Sequence, residues 1–432
     1  MLFNYIIGNS LNKESGTDHH KFSKKSLLTF GIVSNLVLLG YFKYTDFMID
    51  NLNYWMFVED MPNLNLALPL AISFFTFQQI SYLVDSYRQE TKEYDFLNYA
   101  LFVTFFPQLI AGPIVHHKEM MPQFAKTKNK VKNYKNMAMG LFIFSIGLFK
   151  KVVIADTFAV WATAGFDVAT TLNFLEAWAT SLSYTFQLYF DFSGYTDMAI
   201  GLALLFNIKL PINFNSPYKA TSIQDFWRRW HITLSRFLKD YIYIPLGGNR
   251  KGKLQTYTNL MATFILGGIW HGAGWTFVFW GFLHGLALVI HRAWSKLGFK
   301  LWTWLAWLIT FNFINIAWVF FRAKDWDSAI KILSSMFDVN NIVLKESLAN
   351  KLSFLSEYHV HFSEVIKMTH DGKDLLNWLL LGFLLTLLFK NTNYWMKKTL
   401  NIWYILLSAI LFAYAILITS ISSTQVFLYF NF

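Results

Sequence analysis

The 432-residue chain contains no cysteine and few charged residues, and both absences narrow what it can be. Without cysteine there is no disulfide, no thiolate nucleophile, no cysteine-bound metal and no palmitoylation site. Any nucleophile must be an oxygen or a nitrogen, or must arrive with a substrate. Charged residues make up 15% of the chain, against about 25% in soluble domains, and the mean hydropathy is +0.34. This composition predicts a polytopic membrane protein.

Aromatic and basic residues are abundant instead. The 45 phenylalanines and 17 tryptophans fit a lipid-facing surface with aromatic belts at both membrane interfaces. The net charge of +11 would suit nucleic acid, but the basic residues cluster between hydrophobic segments. That distribution follows the positive-inside rule, so we expect a lipid bilayer and no nucleic acid as a partner. The N-terminus has no basic region followed by a small-residue cleavage site, which predicts no removable signal peptide.

Hydrophobic runs of spanning or near-spanning length recur along the chain, as an all-α membrane protein requires. They cover residues 27–44, 63–83, 97–115, 137–160, 174–190, 197–208, 256–270, 274–292, 302–321, 376–390 and 402–421. Several are shorter than the roughly 20 residues that cross a bilayer, so we expect re-entrant or half-membrane helices around 63–83 and 197–208. No repeat or polar linker divides the chain, which predicts a single domain over residues 1–432.

The charges of the loops predict the topology. Residues 118–135 and 209–253 are rich in lysine and arginine and are expected to face the cytoplasm. The segment 322–375 mixes lysines with several acidic residues and is predicted to be an external loop. With the basic 292–300 loop and the 397–398 lysines inside, the C-terminus is expected outside.

The segment Gly267–Phe279 (GGIWHGAGWTFVF) places an ionisable histidine, His271, among small residues and tryptophans at membrane depth. A polar group in hydrocarbon is costly unless it is satisfied, which makes His271 a functional-site hypothesis. The alternative is a packing histidine that hydrogen-bonds a neighbouring helix. The glycines leave room for a substrate or another backbone to approach the ring. His284 and His291, on one helix face, are expected to make structural hydrogen bonds.

Residues 217–240 predict an interfacial helix. Ser222 and Asp225 fit an N-terminal capping box, and Asp225 can pair with Arg229 one turn later. An apolar stripe follows at helical spacing: Phe226, Trp227, Trp230, Leu234 and Phe237. A basic helix rich in tryptophan normally lies in the headgroup plane, and the simplest interpretation is a membrane anchor. His231 lies beside the stripe, faces the protein or the lipid, and favours a role in a site.

The stretch Gln187–Asp197 (QLYFDFSGYTD) is a polar break between two apolar runs. Its carboxylates, Asp191 and Asp197, fit an ion site, a proton relay or helix caps around Gly194.

Several familiar motifs are missing. The pairs His19–His20, His116–His117 and His359–His361 lack the spacing of metal ligands, so no metal site is expected. The chain has no G-x-S-x-G, no G-K-[ST] and no G-x-G-x-x-G. Ordinary serine hydrolase, nucleoside triphosphatase and dinucleotide-dependent functions are therefore unsupported.

The longest motifs carry a family resemblance. They are Asp225–Ser235 (DFWRRWHITLS), Tyr243–Arg250 (YIPLGGNR), Gly268–Trp275 (GIWHGAGW) and Gly281–Gly285 (GFLHG). Together they resemble the membrane-bound O-acyltransferases, the MBOAT family. The YIPLGGNR ending is more similar to the bacterial alginate and peptidoglycan O-acetyltransferase branch than to the teichoic acid D-alanyl branch. Further matches are Phe106–Ile114, Phe190–Asp197, Trp318–Arg322 and Phe427–Phe432.

The resemblance runs from about residue 27 to the C-terminus, with its motif core at about 97–322. Family members usually carry one or two additional hydrophobic segments before the position that matches Phe3, so this chain is expected to begin late. The fold implied is an all-α ring of about 10–11 transmembrane, re-entrant and interfacial helices around a tunnel that joins the two membrane faces.

The resemblance also implies a reaction. The chain would be an O-acetyltransferase of the bacterial inner membrane, using acetyl-CoA as its donor substrate and no cofactor. His271 would be the general base that takes a proton from an acceptor hydroxyl, a role for which burial keeps a histidine neutral. His231 would position the donor or polarise its carbonyl at the cytosolic mouth. Residues expected to bind substrate are Trp230, Trp270, Trp275, Arg228, Arg229, Asp191 and Asn249, with Arg236 as a further candidate for the coenzyme A phosphates.

The acetyl group would be passed outward to an extracytoplasmic partner enzyme, or directly to a cell-wall or exopolysaccharide sugar such as peptidoglycan or alginate. The 322–375 loop is the expected docking surface for that partner. A D-alanyl or other acyl transferase of the same family is an alternative. A proton-coupled transporter or flippase that uses His271, Asp191 and Asp197 as a relay is another. An inactive scaffold for a partner enzyme is a third.

Overall fold

The computed structural model describes residues 1–12, 23–56, 61–91, 95–368, 372–421 and Leu428. His19 and His20, and the Phe427–Phe432 motif apart from Leu428, lie outside these residues. The described helices in the first half are α1 (Leu2–Asn12), α2 (Lys24–Lys43), α3 (Thr45–Met56), α4 (Ile72–Tyr87), α5 (Phe96–Thr104), α6 (Phe106–Leu109), α7 (His117–Ala125), α8 (Tyr134–Phe149), α9 (Asp156–Thr163) and α10 (Phe174–Leu205).

The second half contributes ten further described helices and a small sheet. The helices are α11 (Ile223–Trp227), α12 (Ile232–Leu238), α13 (Gly252–His271), α14 (Trp275–Trp294), α15 (Thr303–Arg322), α16 (Trp326–Phe337), α17 (Ala349–Leu352), α18 (Gly372–Leu387), α19 (Thr392–Trp395) and α20 (Ile402–Ile421). Short 3₁₀ turns lie at Thr127–Lys130, Pro217–Lys219, Glu346–Leu348 and Ser353–Tyr358. The strands β1 (Ile342–Lys345) and β2 (Val360–Ser363) pair in parallel.

The all-α membrane architecture predicted from hydropathy is confirmed. Within the described ranges, five helices are long and apolar enough to cross a membrane: α2, the continuous helix Tyr134–Val168, α14, α15 and α20. The Tyr134–Val168 helix contains α8 and α9, which are joined by the π-helical turn Lys150–Ala155. The helix α4 has 16 residues, about 24 Å at 1.5 Å per residue, which is too short to cross a core of about 30 Å.

The two apolar runs around Gln187–Asp197 form one continuous helix, α10, and the prediction of a separate re-entrant helix at 197–208 was wrong. The 32 residues of α10 extend about 48 Å, enough to pass through the whole bilayer with its headgroups. The side chain of Asn173 accepts from the Glu176 backbone and the Glu176 carboxylate accepts from the Asn173 backbone, which closes a capping box at the N-terminus.

The polar stretch Gln187–Asp197 remains helical because lysines of the Tyr134–Val168 helix form ion pairs with its two carboxylates. Lys150 Nζ lies 2.7 Å from Asp197 Oδ2, and Lys151 Nζ lies 3.1 Å from Asp191 Oδ1. Glycine lets the two helices meet at backbone distance: a methyl group added at Gly147 would lie 2.6 Å from the Gly194 carbonyl oxygen. Gly194 is therefore a packing position in the middle of α10 and not a helix end.

The two ends of α10 contact loops of opposite predicted location. At its N-terminus, the Glu176 carboxylate accepts hydrogen bonds from the Lys367 and Met368 backbone, which lie in the predicted external loop. Just past its C-terminus, Asn207 donates to the carbonyls of Asn129 and Val131 in the basic 118–135 loop. The predicted external loop and this basic loop thus lie on opposite faces of the protein.

The other basic stretches lie on the same face as the 118–135 loop. Arg236 Nη2 donates to Glu119 Oε2 at 3.0 Å, which joins the 209–253 segment to α7. Asn393 Nδ2 donates to the Phe214 carbonyl at 2.6 Å, which brings the 397–398 lysine segment to the same place. This grouping is the one that the positive-inside rule requires.

The predicted interfacial helix over 217–240 is wrong in its continuity and in its location. The segment breaks into α11, α12 and the π-helical turn Lys239–Tyr243, with His231 between the first two in the left-handed conformation (φ 41°, ψ 54°). Its aromatic stripe is buried in the protein core rather than at a lipid surface, since Phe226, Trp230 and Phe237 are at most 3% exposed. Ser222 accepts from the Asp225 backbone N–H, which is the N-cap half of the predicted capping box, and the Asp225–Arg229 ion pair (2.9 Å) is present as predicted.

Candidate active site

The helices α13 and α14 form a tight antiparallel hairpin that carries the central histidine motif. A methyl group at Gly268 would collide with the Phe277 carbonyl oxygen, and one at Gly281 would collide with that of Phe264. These two glycines therefore admit the facing backbone, which was one of the two uses predicted for small residues here. The hairpin fixes His271 as the last residue of α13.

The C-terminus of α13 is capped by residues at the end of α2. Lys43 Nζ donates to the carbonyls of Trp270 (2.6 Å) and His271 (3.0 Å), and the Tyr44 hydroxyl donates to that of Ile269 (2.6 Å). The last carbonyls of a helix have no partner within the helix, so donors from another segment are needed to satisfy them. Lys43 and Tyr44 thereby hold the backbone that carries the His271 ring.

The His271 side chain lies in an aromatic enclosure and is only 5% exposed. Its ring centroid is 4.9 Å from Trp270, 5.1 Å from Trp280 and 5.0 Å from Phe321. Among the described residues, His271 Nδ1 has no hydrogen-bond partner. A buried polar atom without a partner costs about 1–3 kcal/mol, so a ligand or water at this position is the physical expectation. The packing alternative predicted a bond from His271 to a neighbouring helix, and this nitrogen makes none.

His231 is fully buried and its proton position can be derived. The Oδ1 atom of Asn213 accepts from the Thr233 backbone N–H (3.2 Å) and the Thr233 hydroxyl (2.9 Å), so it is an acceptor. His231 Nδ1 lies 3.1 Å from the same oxygen and must therefore be the protonated nitrogen. The hydroxyl of Thr233 in turn accepts from the Ile114 backbone N–H (3.0 Å). This chain of buried bonds offsets the strain of a left-handed non-glycine residue.

His284, one turn after Trp280 on α14, is the third buried histidine. The indole N–H of Trp227 donates to His284 Nδ1 at 3.2 Å, so the proton of the neutral ring is on Nε2. The structural hydrogen bond predicted for His284 is therefore present. Its Nε2 atom has no hydrogen-bond partner in the described part of the chain.

Aromatic rings connect the three histidines into one cluster. On one side Phe74 lies 6.5 Å from His231 and 5.4 Å from Trp270, the neighbour of His271. On the other side Trp280 lies 5.1 Å from His271 and 4.7 Å from His284. His231, His284 and Lys43 all lie within electrostatic range of the His271 ring. We call His231, His271 and His284 with these rings the histidine cluster.

The structure brings only some of the predicted substrate-binding residues to the histidine cluster. Trp270 contacts His271 directly. Trp230 is connected to the cluster by Trp318, whose ring centroid is 5.0 Å from that of Trp230 and 5.8 Å from that of Trp280. Trp275 is 53% exposed and donates to Asn51 of α3, on the outer side of the hairpin.

The polar and charged candidates lie away from the cluster. Arg228 and Asn249 are exposed on the face that holds the basic loops, and Arg229 is half-buried in its ion pair with Asp225. Arg236 is likewise engaged, by Glu119. Asp191 is buried at the α8–α10 contact, paired with Lys151.

Lys43 and Asn213 are the site residues that sequence reasoning missed. Lys43 is separated from His271 by 228 positions, and it ends an apolar span where a lysine is the ordinary interfacial residue. Asn213 lies in a short polar stretch between Pro211 and Pro217, where an asparagine is an ordinary turn residue. A signal existed for both, because a lysine beside a membrane segment and an asparagine near a buried histidine can each serve as a buried hydrogen-bond partner.

A second buried polar cluster lies at the basic-loop face. Tyr241 donates to Asp85 Oδ1 (2.9 Å), His117 Nδ1 lies 3.3 Å from Asp85 Oδ2, and His116 Nδ1 lies 3.0 Å from the Tyr241 hydroxyl. Burial alone would raise the pKa of Asp85, but the hydrogen bond from Tyr241 and the adjacent rings of His116 and His117 outweigh it and hold that pKa below its ordinary value. Within the described residues, no group of three histidine or carboxylate side chains is arranged to hold a metal ion.

Fold and site together define a class: a multi-pass membrane protein with a histidine cluster buried at the tip of a glycine-packed hairpin. The chain belongs to the membrane-bound O-acyltransferase (MBOAT) family, whose model matches residues 21–324, and it is an O-acyltransferase. It is 50% identical to the peptidoglycan O-acetyltransferase of Helicobacter pylori, over 100% of this chain and 86% of the relative.

Two other relatives place the chain within the family. It is 42% identical to the probable alginate O-acetylase AlgI of Azotobacter vinelandii, over 80% of this chain and 69% of the relative. It is 29% identical to the teichoic acid D-alanyltransferase of Bacillus subtilis, over 61% of this chain and 71% of the relative. The predicted family membership is confirmed, and the similarity is greater to the two O-acetylating relatives than to the D-alanyl relative.

Proposed function

We propose that this protein transfers an acetyl group from a cytosolic thioester, acetyl-CoA, for O-acetylation of a cell-wall or exopolysaccharide sugar. The relatives at 50% and 42% identity are named as a peptidoglycan O-acetyltransferase and a probable alginate O-acetylase, which supports acetyl as the acyl group. The observation that carries the proposal is the His271 ring, buried among aromatic side chains with its Nδ1 atom unpartnered in the described part of the chain.

His271 acts as the general base in this proposal. An acceptor hydroxyl approaches the free ring nitrogen to about 2.6–3.2 Å and its oxygen attacks the thioester carbonyl carbon. The proton of that hydroxyl moves to His271, the carbon–sulfur bond breaks, and the thiolate of the donor leaves and is protonated. The aromatic enclosure of Trp270, Trp280 and Phe321 keeps water from competing with the acceptor.

His231 and Arg228 serve the donor side. The proton of His231 is on Nδ1, directed at Asn213, so its Nε2 atom can accept a hydrogen bond but cannot polarise a carbonyl by donating one. We therefore assign His231 to positioning the donor rather than to polarising its carbonyl. Arg229 and Arg236 are paired with carboxylates, so among the three arginines Arg228 is the candidate for the coenzyme A phosphates.

The acceptor reaches the histidine cluster from the opposite face. The His271–Trp275 turn packs near Ala323, whose carbonyl accepts from the Thr276 hydroxyl (3.3 Å), at the start of the predicted external loop. An acyl group entering from the basic face would then leave through a tunnel toward that loop. We propose the bacterial inner membrane as the location, and the 322–375 loop as the docking surface for an extracytoplasmic acetyltransferase or the polysaccharide.

The experiment compares three proteins in liposomes supplied with ¹⁴C-acetyl-CoA and soluble peptidoglycan fragments or alginate. We expect the wild type to release free coenzyme A and label the acceptor, and His271→Gln to lose at least about 99% of both signals, the 10²–10⁴-fold contribution of a general base. His291→Gln, a half-buried histidine on α14, is the matched control and should retain activity. Equal activity of His271→Gln and the wild type would refute the assignment of the base.

The alternatives predict different results in the same liposomes. A D-alanyl or longer-chain transferase would use its own thioester in preference to acetyl-CoA. A proton-coupled transporter would acidify the lumen without releasing coenzyme A. The ion pairs of Asp191 and Asp197 with lysines disfavour the relay that such a transporter needs, because neither carboxylate is available to carry protons while paired.

A further inference from the structure

One cavity of the described structure lies away from the histidine cluster. It measures about 440 Å³ and lies between the Tyr134–Val168 helix, α10, α18, α19 and α20. Its volume is in the range of ligand sites, about 300–1,000 Å³. Apolar side chains form most of its wall, among them Phe149, Ile154, Phe190, Trp378, Leu385 and Leu411.

One end of the cavity is polar. Ser216, Lys390, Asn391 and Thr392 lie there together, at the junction of α18 and α19. Asn391 Nδ2 donates to Asn215 Oδ1 (2.8 Å) and Ser216 Oγ (2.9 Å), which fixes this end on the face of the basic loops. The cavity therefore has the polarity of a membrane amphiphile, with an apolar body and a polar head at the interface.

The charge at the polar end is positive and only partly neutralised. Lys150, which also lines the cavity, is paired with Asp197, and Arg229 is paired with Asp225. Within the described residues, Lys390 and Lys219 form no ion pair with a carboxylate; Lys219 Nζ donates instead to the Phe389 carbonyl at 3.0 Å. Lys390 and Arg229 both lie within electrostatic range of Lys219. Like charges held together without a counter-ion favour an anion.

The outer wall of the cavity is a helix that faces the bilayer. Of the 20 residues of α20, only Ala415 is buried. The cavity therefore lies at the periphery of the protein, beside the bilayer, with its polar end on the face of the basic loops.

We propose that this cavity binds an anionic phospholipid of the bilayer, with one acyl chain between α8, α10, α18 and α20 and the phosphate at Lys390 and Lys219. The lipid is a bound structural ligand of the leaflet that borders the basic loops. The inference does not rest on the acetyl-transfer proposal, since no residue of the histidine cluster lines this cavity.

Native mass spectrometry of the full chain, released from detergent after titration with phosphatidylglycerol or phosphatidylcholine, tests the proposal. We expect one phosphatidylglycerol to be retained with saturation, and phosphatidylcholine to be retained at least tenfold more weakly. The double variant Lys219→Gln/Lys390→Gln should weaken phosphatidylglycerol binding by about tenfold or more, the effect of losing charge-assisted bonds to a phosphate. Lys397→Gln removes one charge from the neighbouring exposed segment and should change the affinity little.

A cavity-filling variant separates the acyl-chain site from surface charge. Leu385→Trp should abolish retention of phosphatidylglycerol while leaving both lysines in place, and an unchanged melting temperature shows that the variant is folded. Inorganic phosphate at millimolar concentration should not displace the lipid, because it lacks the apolar chain. Equal retention of the two lipids by the wild type, or full retention by either the double variant or Leu385→Trp, would overturn the proposal.

Discussion

The side-chain nitrogen of Lys43 donates a hydrogen bond to the main-chain carbonyl of His271 at 3.0 Å, so the end of α2 holds the end of α13. A second bond, to Trp270 O at 2.6 Å, makes the contact bidentate. Only Tyr44 and Lys43 among described side chains donate to the last three carbonyls of α13. The position of the His271 ring therefore depends on a residue from a distant part of the chain.

Replacing Lys43 with methionine should displace His271 without touching its side chain. We expect kcat for acetyl transfer to fall by about 10–100-fold with little change in KM for acetyl-CoA, because the base is misplaced while the donor site is intact. The free energy of unfolding should fall by about 1–3 kcal/mol with the loss of the two hydrogen bonds to the Trp270 and His271 carbonyls. Lys43→Arg should recover part of the rate, and Lys25→Met, at the opposite end of α2, should leave the rate unchanged. A Lys43→Met protein with wild-type kcat would show that the cap has no positioning role.

The left-handed backbone at His231 gives a test of the second histidine. Asparagine tolerates this conformation, so His231→Asn should fold with nearly wild-type stability, whereas His231→Val should lose about 1–3 kcal/mol to strain. If His231 positions the donor, His231→Asn should raise KM for acetyl-CoA while leaving some turnover. Asn213→Ala, which removes the acceptor shared by His231 and Thr233, should give the same change in KM together with a lower melting temperature. Complete loss of turnover in a well-folded His231→Asn protein would point instead to a direct chemical role.

The glycines of the α13–α14 hairpin are predicted to act by packing. Gly268→Ala should lower the free energy of unfolding by at least about 1–3 kcal/mol and reduce activity, because its methyl group collides with the Phe277 backbone and pushes α13 from α14. Gly274→Ala is the matched control, since its methyl group would meet nothing closer than 3.6 Å. Thermal unfolding in detergent and the acetyl-transfer rate measure the two effects. Equal losses for the two variants would contradict the packing argument.

The membrane spans, and His271 as a candidate site residue, can be predicted from the sequence because both depend on local features. Hydrophobic length sets the spans, and a histidine among glycines and tryptophans at membrane depth is conspicuous. The Ser222 cap and the Asp225–Arg229 pair follow from spacings of three and four residues, and both are present. Each of these predictions needs only one segment of chain.

The predictions that were wrong concern features that depend on contacts with a distant segment of the chain. The stretch Gln187–Asp197 has the composition of a break between helices. It is helical in the structure because Lys150 and Lys151 of another helix form ion pairs with its carboxylates. The segment 217–240 has the pattern of a membrane anchor, and nothing local shows that Phe226 and Trp230 pack on Trp318 instead of lipid. Tertiary contacts decide whether a polar or aromatic residue is buried in the protein. The same amphipathic pattern occurs in helices that pack against protein and in helices that lie against lipid.

The Asp85 cluster should make the protein sensitive to acid. The hydrogen bond from Tyr241 and the adjacent rings of His116 and His117 hold the pKa of Asp85 below its ordinary value despite burial. A carboxyl group whose folded pKa is depressed stabilises the fold above its unfolded pKa, near 3.9, and this stabilisation is lost as pH falls from there toward the folded pKa. We therefore expect the melting temperature of the wild type to fall more steeply between pH 5 and about pH 3 than that of Asp85→Asn. Tyr241→Phe removes the hydrogen bond from the tyrosine but leaves both histidines, and it should give an intermediate slope. Parallel melting curves for the wild type and Asp85→Asn across this pH range would show that the cluster contributes no pH-dependent stability.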